Sequence, residues 1–317
     1  MEKIIPPVPK EAIKAELTPD KFVRKTNNGG NEVYVFTHKD SPNLMRELGR
    51  LREITFRLAG GGTGKELDID HYDLGEHPYH QLIVWDPDEE EILGGYRFII
   101  CSNLKKNHCD SDHLATSKLF TFNEKFIRDY LPHMIELGRS FVQPDYQGTS
   151  RSRRKGLFAL DNLWDGLGAI VIENPHVRYF FGKMTMYPHF HKEARKLILY
   201  FLDKYFHDPE DLVIPKYPLN LEYNREEFGE IFSGKDYLED YRILSKTVRE
   251  MGENIPPLFN AYMNLSPTMR VFGTVINHAF GDVEETGIMI TLRDMYISKI
   301  NRHLASYRED YKIPGQK

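Results

Sequence analysis

The chain has 317 residues, of which 40% are apolar and 28% charged, as is ordinary for a folded globular protein. Its 42 basic and 47 acidic side chains give a net charge of −5, which argues against the basic footprint of bulk nucleic-acid binding. Two cysteines make no disulfide framework or zinc-ligand spacing, and no run approaches the ~20 apolar residues of a membrane span. We therefore expect a cytoplasmic protein without a bound metal, cofactor or nucleic acid. Any membrane contact would be peripheral, at the inner face.

The first 30 residues read as a polar lead-in, and we expect residues 31–317 to form a single domain. A strand at 32–37 is followed by a helix that Ser41 and Pro42 open, with an apolar stripe ending at Ile54 and Leu58. The apolar patterns then predict, in chain order, strands at 81–85 and 92–100, a helix at 123–130, a strand at 135–142, a helix at 157–173, a strand at 177–186, a helix at 192–206, a helix near 236–250 within a variable insertion at 205–255, strands at 270–276 and 287–292, and a last helix at about 293–307. This order lacks strict βαβ alternation and predicts a mixed α/β fold with a largely antiparallel sheet.

Three acidic side chains lie within six residues, at Asp68, Asp70 and Asp73. Three carboxylates this close repel one another unless a cation lies nearby. The cluster is either a solvated loop or a site that holds an ammonium group or an arginine, and we expect Arg52 and Arg97 to pair with Asp70 and Asp73.

Charged residues also occur on the predicted central strand at 135–142. Strict alternation places Glu136 and Gly138 on one face, and Leu137 and Arg139 on the other. A charge on a buried strand is costly unless it is paired, so Glu136 is either a structural ion-pair partner or a functional group.

A basic segment, QGTSRSRRKG at 147–156, joins this strand to the next helix. Small residues expose backbone N–H groups, and a helix N-terminus attracts anions. The segment fits a phosphate site and a patch that meets an acidic protein. The alternative is a solvated basic loop.

With these elements placed, the chain resembles a known family. The motifs occur in the family's order as REITFR (52–57), LDIDHYD (67–73), HQLIVWD (80–86), GGYR (94–97), ELGRSFV (136–142), the basic segment, LWDGL (163–167), YFFG (179–182), PPLFNAY (256–262) and FG (280–281). The ordered set resembles the acyl-carrier-protein-dependent N-acyltransferases that make ornithine and glycine lipids, bacterial proteins often labelled hemolysins. These are relatives of acyl-homoserine-lactone synthases in the GNAT superfamily. The resemblance covers roughly residues 32–305 and is weakest at 205–255.

The resemblance implies a GNAT-like fold, a mixed, largely antiparallel twisted sheet flanked by helices, with a C-terminal extension. The sheet would splay to admit a phosphopantetheine arm. Glu136 and Arg139 match the family's catalytic positions, and its substrate-binding positions are matched by Arg52, Phe56, Asp70, Asp73 and Arg97. The donor arm and the carrier would be bound by Phe141, Val142, Arg151, Arg153, Arg154 and Lys155.

The implied reaction transfers a fatty acyl group, a 3-hydroxy one by resemblance, from acyl carrier protein to the α-amine of a small amino acid. Glu136, directly or through a water molecule, would deprotonate the amine. Backbone N–H groups near Phe141 and Val142 would polarise the thioester. Glycine and ornithine are the leading acceptors, and glycine is preferred because no carboxylate can be assigned to a second ammonium. The alternatives are a lactone-synthase-like enzyme, an acetyl-CoA-dependent N-acetyltransferase and a non-catalytic acyl-carrier-binding protein.

Overall fold

The computed structural model describes residues 1–106, 110–147, 158–220 and 225–307. In this part of the chain the strands are β1 (Phe22–Lys25), β2 (Glu32–Phe36), β3 (His80–Asp86), β4 (Glu91–Ile100), β5 (Phe120–Phe122), β6 (Met134–Val142), β7 (Tyr179–Met186), β8 (Val213–Pro215), β9 (Arg270–Asn277) and β10 (Val283–Thr291). The α-helices are α1 (Lys10–Glu16), α2 (Pro42–Leu58), α3 (His71–Leu74), α4 (Ser102–Lys106), α5 (Ala159–Glu173), α6 (Lys192–Phe206), α7 (Arg225–Ile231), α8 (Tyr237–Glu250), α9 (Pro257–Met263) and α10 (Ile297–Ile300).

Eight strands form one sheet in the order β1-β2-β3-β4-β6-β7-β10-β9, and β5 pairs separately with β8. Neighbouring strands of the large sheet are antiparallel except for β6 and β7, which are parallel. The mixed, largely antiparallel sheet predicted from the sequence is therefore confirmed.

Helices cover both faces of this sheet. On one face, Leu44 and Leu48 of α2 pack in a buried cluster with Ile83 of β3. On the other face, Leu163 of α5 and Phe201 of α6 belong to the largest core cluster. The helical spacing of these apolar residues explains why each helix buries one side against the strands.

The parallel pair β6–β7 separates soon after it begins. Pairing joins Met134–Glu136 to Tyr179–Phe181 and then stops. Beyond this point β6 stays paired with β4 as far as Val142, and β7 stays paired with β10 as far as Met186. The sheet is therefore split by a gap whose closed end lies at Glu136.

The first 30 residues differ from the polar lead-in that the sequence predicts. Helix α1 and the edge strand β1 lie there, and β1 belongs to the large sheet. Val8 and Ile13 are buried with the residues of α2, and the Val8 N–H donates to Glu47 Oε2 at 3.0 Å. The few apolar residues of this segment are spaced among charged ones, so the sequence pattern did not predict that they are buried.

Three other elements differ in detail. Leu58, expected on the buried stripe of α2, is 72% exposed because it falls in the last turn, past the sheet. The last helix is shorter than expected, and a π-helical turn at Asn301–Ala305 follows α10. The insertion at 205–255 contains α8, as expected, and also β8 and α7.

Candidate active site

A cavity of about 560 Å³ occupies the gap between β6 and β7. Its lining on the α2 side of the sheet is charged and aromatic, and we call this part the polar end: Phe56, Arg97, Glu136, Arg139, Lys183, Phe280 and Glu285. Its lining on the α5 side is mostly aliphatic and aromatic, and we call this part the apolar end: Leu137, Tyr146, Leu160, Leu258 and Tyr262. The cavity therefore connects a charged compartment with an apolar one through the sheet.

Arg52 is the most deeply buried cation near the polar end, with 1% of its surface exposed. Its Nε lies 3.2 Å from Asp68 Oδ2, and its Nη2 lies 3.2 Å from Asp73 Oδ2. Gln81 also accepts a hydrogen bond from Arg52 and donates one to Asp73. Two aspartates thus share one guanidinium, and the amide of Gln81 connects the pairs.

Arg97 and Arg139 extend this arrangement into a network of three arginines and three aspartates. Arg97 Nη1 lies 2.7 Å from Asp70 Oδ1 and 3.1 Å from Asp73 Oδ2. Arg139 Nε lies 2.8 Å from Asp68 Oδ2. The formal charges cancel, which makes burial of six ionised groups tolerable.

The network keeps the carboxyl groups of Asp70 and Asp73 ionised. Burial alone would raise the pKa of Asp73, but the guanidinium groups of Arg52 and Arg97 outweigh burial and hold it well below its usual range. Burial also opposes ionisation of Asp70, and Arg97 again lowers its pKa. The expected pairing with Arg52 and Arg97 is present, and Asp68 and Asp73 are fully buried, so the solvated-loop alternative is wrong.

Glu136 is held differently. It is 1% exposed, and its Oε2 accepts hydrogen bonds from the Tyr79 hydroxyl and from the Ala115 N–H at 3.0 Å. Its Oε1 accepts from the Thr116 N–H at 2.9 Å and from the Thr116 hydroxyl at 2.5 Å. A carboxylate has about four lone-pair sites, so these donors fill it. No lysine or arginine of the described residues pairs with Glu136, so the ion pair weighed as its alternative role does not occur within these ranges.

Arg139 does not lie where strict alternation places it. Arg97 pairs with Gly138 and Gly95 with Phe141, so β6 carries one extra residue, a β-bulge. Arg139 sits in this bulge with φ 50°, a left-handed conformation that costs on the order of 1–3 kcal/mol in residues other than glycine. The bulge turns its side chain to the same face as Glu136, and its guanidinium lies 4.3 Å from the Phe280 ring centroid.

Phe56, Phe141 and Val142 lie at the wall of the gap. The Phe56 ring packs edge-on against Phe141 and Phe280, at centroid distances of 6.4 and 5.1 Å. The Gln143 N–H donates to the Leu93 carbonyl of β4, so by ladder alternation the N–H and C=O of Val142 point away from β4 into the gap. The Gln147 side chain donates to the Val142 carbonyl, consistent with this direction.

The other predicted donor-binding residues lie outside the described residues: Arg151, Arg153, Arg154 and Lys155. The structure therefore does not test the basic segment. It does show that α5 begins shortly after this segment and that Ala159 and Leu160 line the cavity.

Sequence reasoning missed the groups that hold Glu136, namely Tyr79 and Thr116. Tyr79 directly precedes the quoted motif at 80–86, and Thr116 lies in a stretch without clear periodicity. It also missed the buried pair of Lys183 and Glu285, whose Nζ–Oε2 distance is 2.5 Å. The alternation of β7 and β10 would have placed both residues on the face of Glu136.

Two kinds of feature are absent from the described residues. No helix in these ranges has the length and apolar character needed to cross a bilayer. Nowhere in the same ranges do three or more His, Cys, Asp or Glu side chains group as metal ligands.

Comparison with known proteins now connects this geometry to chemistry. Residues 51–154 match the model of an acetyltransferase (GNAT) domain. A glycine N(alpha)-acyltransferase of Bacteroides thetaiotaomicron is 56% identical over 98% of this chain and 92% of its own. A second, from Phocaeicola vulgatus, is 55% identical over 97% of this chain and 94% of its own.

A solved CoA-dependent acyl-homoserine lactone synthase is more distant, with 17% identity over 41% of this chain and 52% of its own. Its TM-score is 0.22, which is too low to support an argument about this molecule. The near-full-length relatives decide the assignment. This chain belongs to the GNAT-domain N-acyltransferase family that contains those two enzymes.

Proposed function

We propose that this acyltransferase moves a fatty acyl group from the phosphopantetheine thioester of acyl carrier protein to the α-amine of glycine. The observation that carries the proposal is the split between β6 and β7, which opens a cavity beside the buried carboxylate of Glu136. The acceptor follows the names of the two close relatives. The carrier-bound donor follows the family resemblance and the basic segment.

The apolar end suits the donor. Leu137, Leu160 and Leu258 offer aliphatic surface to a fatty acyl chain or to the pantetheine arm. The Val142 N–H, which faces the gap, can donate to the thioester oxygen as negative charge develops on it.

The reaction needs one bond made and one broken. The neutral amine attacks the thioester carbon, the C–N bond forms, the C–S bond breaks and the thiolate leaves. The ammonium group first loses one proton toward Glu136 and from there to solvent, which gives the neutral amine. As the amide forms, the nitrogen loses a second proton, which passes through Glu136 to the thiolate. Since four donors fill Glu136, the amine reaches it through the hydroxyl of Tyr79 or Thr116, or by displacing one of them.

The cavity favours glycine over ornithine. Ornithine would bring a second ammonium group that needs its own carboxylate. Among the described residues that line the cavity, the carboxylates are Glu136 and Glu285, and Glu285 is already paired with Lys183. With Glu136 serving the α-amine, no lining carboxylate in these ranges is left for a second cation.

The test uses purified enzyme with 3-hydroxyacyl thioesters of acyl carrier protein and of CoA, each offered glycine or ornithine. Product mass spectrometry should show N-acylglycine, with the carrier thioester giving the higher kcat/KM. Preferential acylation of ornithine would overturn the acceptor assignment. Equal use of both thioesters would overturn the assignment of the carrier as donor.

A further inference from the structure

Two charges near the polar end lack a partner of opposite charge among the described residues. One is the Glu136 carboxylate, which is held only by neutral donors. The other is the Lys118 ammonium group, which has no carboxylate within 4.0 Å in those ranges. Its side chain is exposed, and the ring of Tyr72 lies beside it, with the ring centroid 4.9 Å from Nζ. A carboxylate without a cation and a cation without a carboxylate thus occur in one neighbourhood.

A single short turn connects the two charges. The 3₁₀ turn Ala115–Lys118 donates its first two N–H groups to Glu136 and ends at Lys118. The ring of Tyr72 also connects Lys118 to the cavity, because Arg97 Cζ, on the cavity wall, lies 5.4 Å from the same centroid. Lys118 does not line the cavity itself and lies outside the polar end, beside the ring of Tyr72.

The surroundings of Lys118 favour an incoming anion. Burial lowers its pKa, and the nearby cations Arg97, Arg139 and Lys183 lower it further, against the opposing effect of Asp70. A carboxylate bound beside Lys118 would relieve this repulsion. Arg97 supplies a second donor, since its buried Nε has no hydrogen-bond partner in the described residues.

We propose that Lys118 and the unpartnered Nε of Arg97 bind the α-carboxylate of the acceptor amino acid, while its ammonium group faces Glu136 and the hydroxyls that hold it. The inference rests on the proposed function, because it assigns the subsite for the acceptor. A zwitterion supplies both missing charges, whereas a simple amine supplies one. The subsite would therefore select α-amino acids over amines without a carboxylate.

The test compares glycine with glycinamide, which keeps the amine and lacks the negative charge. The unmodified enzyme should prefer glycine. In Lys118→Met, KM for glycine should rise about 10- to 100-fold, the range expected on losing a charge-assisted hydrogen bond. KM for glycinamide should change little, and so should KM for the thioester donor. Lys118→Arg should restore much of the preference because it keeps the charge.

The matched control is Lys246→Met, which removes a charge from a 78% exposed side chain on α8. It should leave both KM values unchanged, and melting temperatures should show that all variants are folded. If Lys118→Met keeps the KM for glycine and the preference over glycinamide, the subsite is overturned. If the unmodified enzyme acylates neither compound, the proposed function fails instead, so the two failures are distinguishable.

Discussion

The two walls of the gap each carry a buried carboxylate, and the two are neutralised in different ways. On the β7–β10 wall, Glu285 Oε2 lies 2.5 Å from Lys183 Nζ and accepts a further hydrogen bond from Asn277 at 3.1 Å. On the β6 wall, Glu136 is as deeply buried but is surrounded by hydroxyl and backbone donors. One wall therefore contains a complete ion pair, whereas the groups that hold the anion of the other wall are, in the described part of the chain, all dipoles.

This difference assigns the walls different tasks. A carboxylate beside its own cation has little net field to offer a ligand. A carboxylate held by fixed dipoles keeps its negative charge available to an incoming ammonium group, in a site that excludes water. We therefore propose that the β6 wall is the reactive one and that the β7–β10 wall gives the site its shape.

Glu136→Gln and Glu285→Gln test the comparison most strongly. Loss of proton acceptance at Glu136 should lower kcat by about 10²–10⁴-fold. The loss should shrink as pH rises and more of the amine is neutral. Glu285→Gln should instead lower the melting temperature, because it leaves Lys183 buried without a counter-charge, and should cost less in kcat. Steady-state kinetics and thermal unfolding of both variants measure these two effects. Equal effects on kcat would break the distinction between the walls.

Asp73→Asn tests whether cation-balanced carboxylates are mainly structural. It removes the counter-charge of Arg52 and Arg97, which should cost about 3–5 kcal/mol of unfolding free energy at pH 7. Because the folded-state pKa of Asp73 is lowered, its contribution is fully present above its unfolded pKa of about 4 and is lost as pH falls through the folded-state pKa. The deficit of the variant should therefore shrink only below about pH 4. Urea unfolding at pH 7 and pH 3 measures this, and a deficit that is the same at both would contradict it.

The sequence predicts most of the sheet and part of the site. Helix α6 begins and ends as expected, because Lys192–Phe206 has a clear apolar period, and β3 and β4 form the expected hairpin. Asp73 and Arg97 could be foreseen as partners because clustered carboxylates need cations.

Other features depend on contacts that a one-dimensional pattern does not contain. The bulge at Arg139 breaks the alternation that assigned its face. The donors to Glu136 come from Tyr79 and Thr116, which are 57 and 20 residues away along the chain. A split between two parallel strands has no local signature, so only the family resemblance predicted it.

Charge reversal of the basic segment tests whether the carrier protein docks there and delivers its acyl group to the apolar end. Replacing Arg151, Arg153, Arg154 and Lys155 with Glu should raise KM for the acyl carrier thioester about 10- to 100-fold, and high salt should have the same effect on the unmodified enzyme through screening. A short N-acetylcysteamine thioester, which has no carrier, should be unaffected. The control reverses three exposed cations of α8, Arg242, Lys246 and Arg249. Equal losses in both sets would show a general charge effect and contradict docking at the segment.

Tyr79→Phe should give the smallest change in kcat of these variants. It tests whether the Tyr79 hydroxyl only positions Glu136 or also transfers the proton. Removing the hydroxyl deletes one of four donors, while the Ala115 N–H still reaches Glu136 Oε2 at 3.0 Å. If Tyr79 only positions the carboxylate, kcat should fall about tenfold or less, as for one neutral hydrogen bond. If it also relays the proton, the fall should be larger, and a solvent deuterium isotope effect on kcat should change with it.

Burial and the neighbouring Glu136 raise the pKa of Tyr79 well above its usual value, so the hydroxyl stays protonated across the assay range. The alkaline limb of the pH profile should therefore be the same in the variant and the unmodified enzyme. A limb that disappears with the hydroxyl would show that Tyr79 ionises during turnover, and the dipole description of this wall would then be wrong.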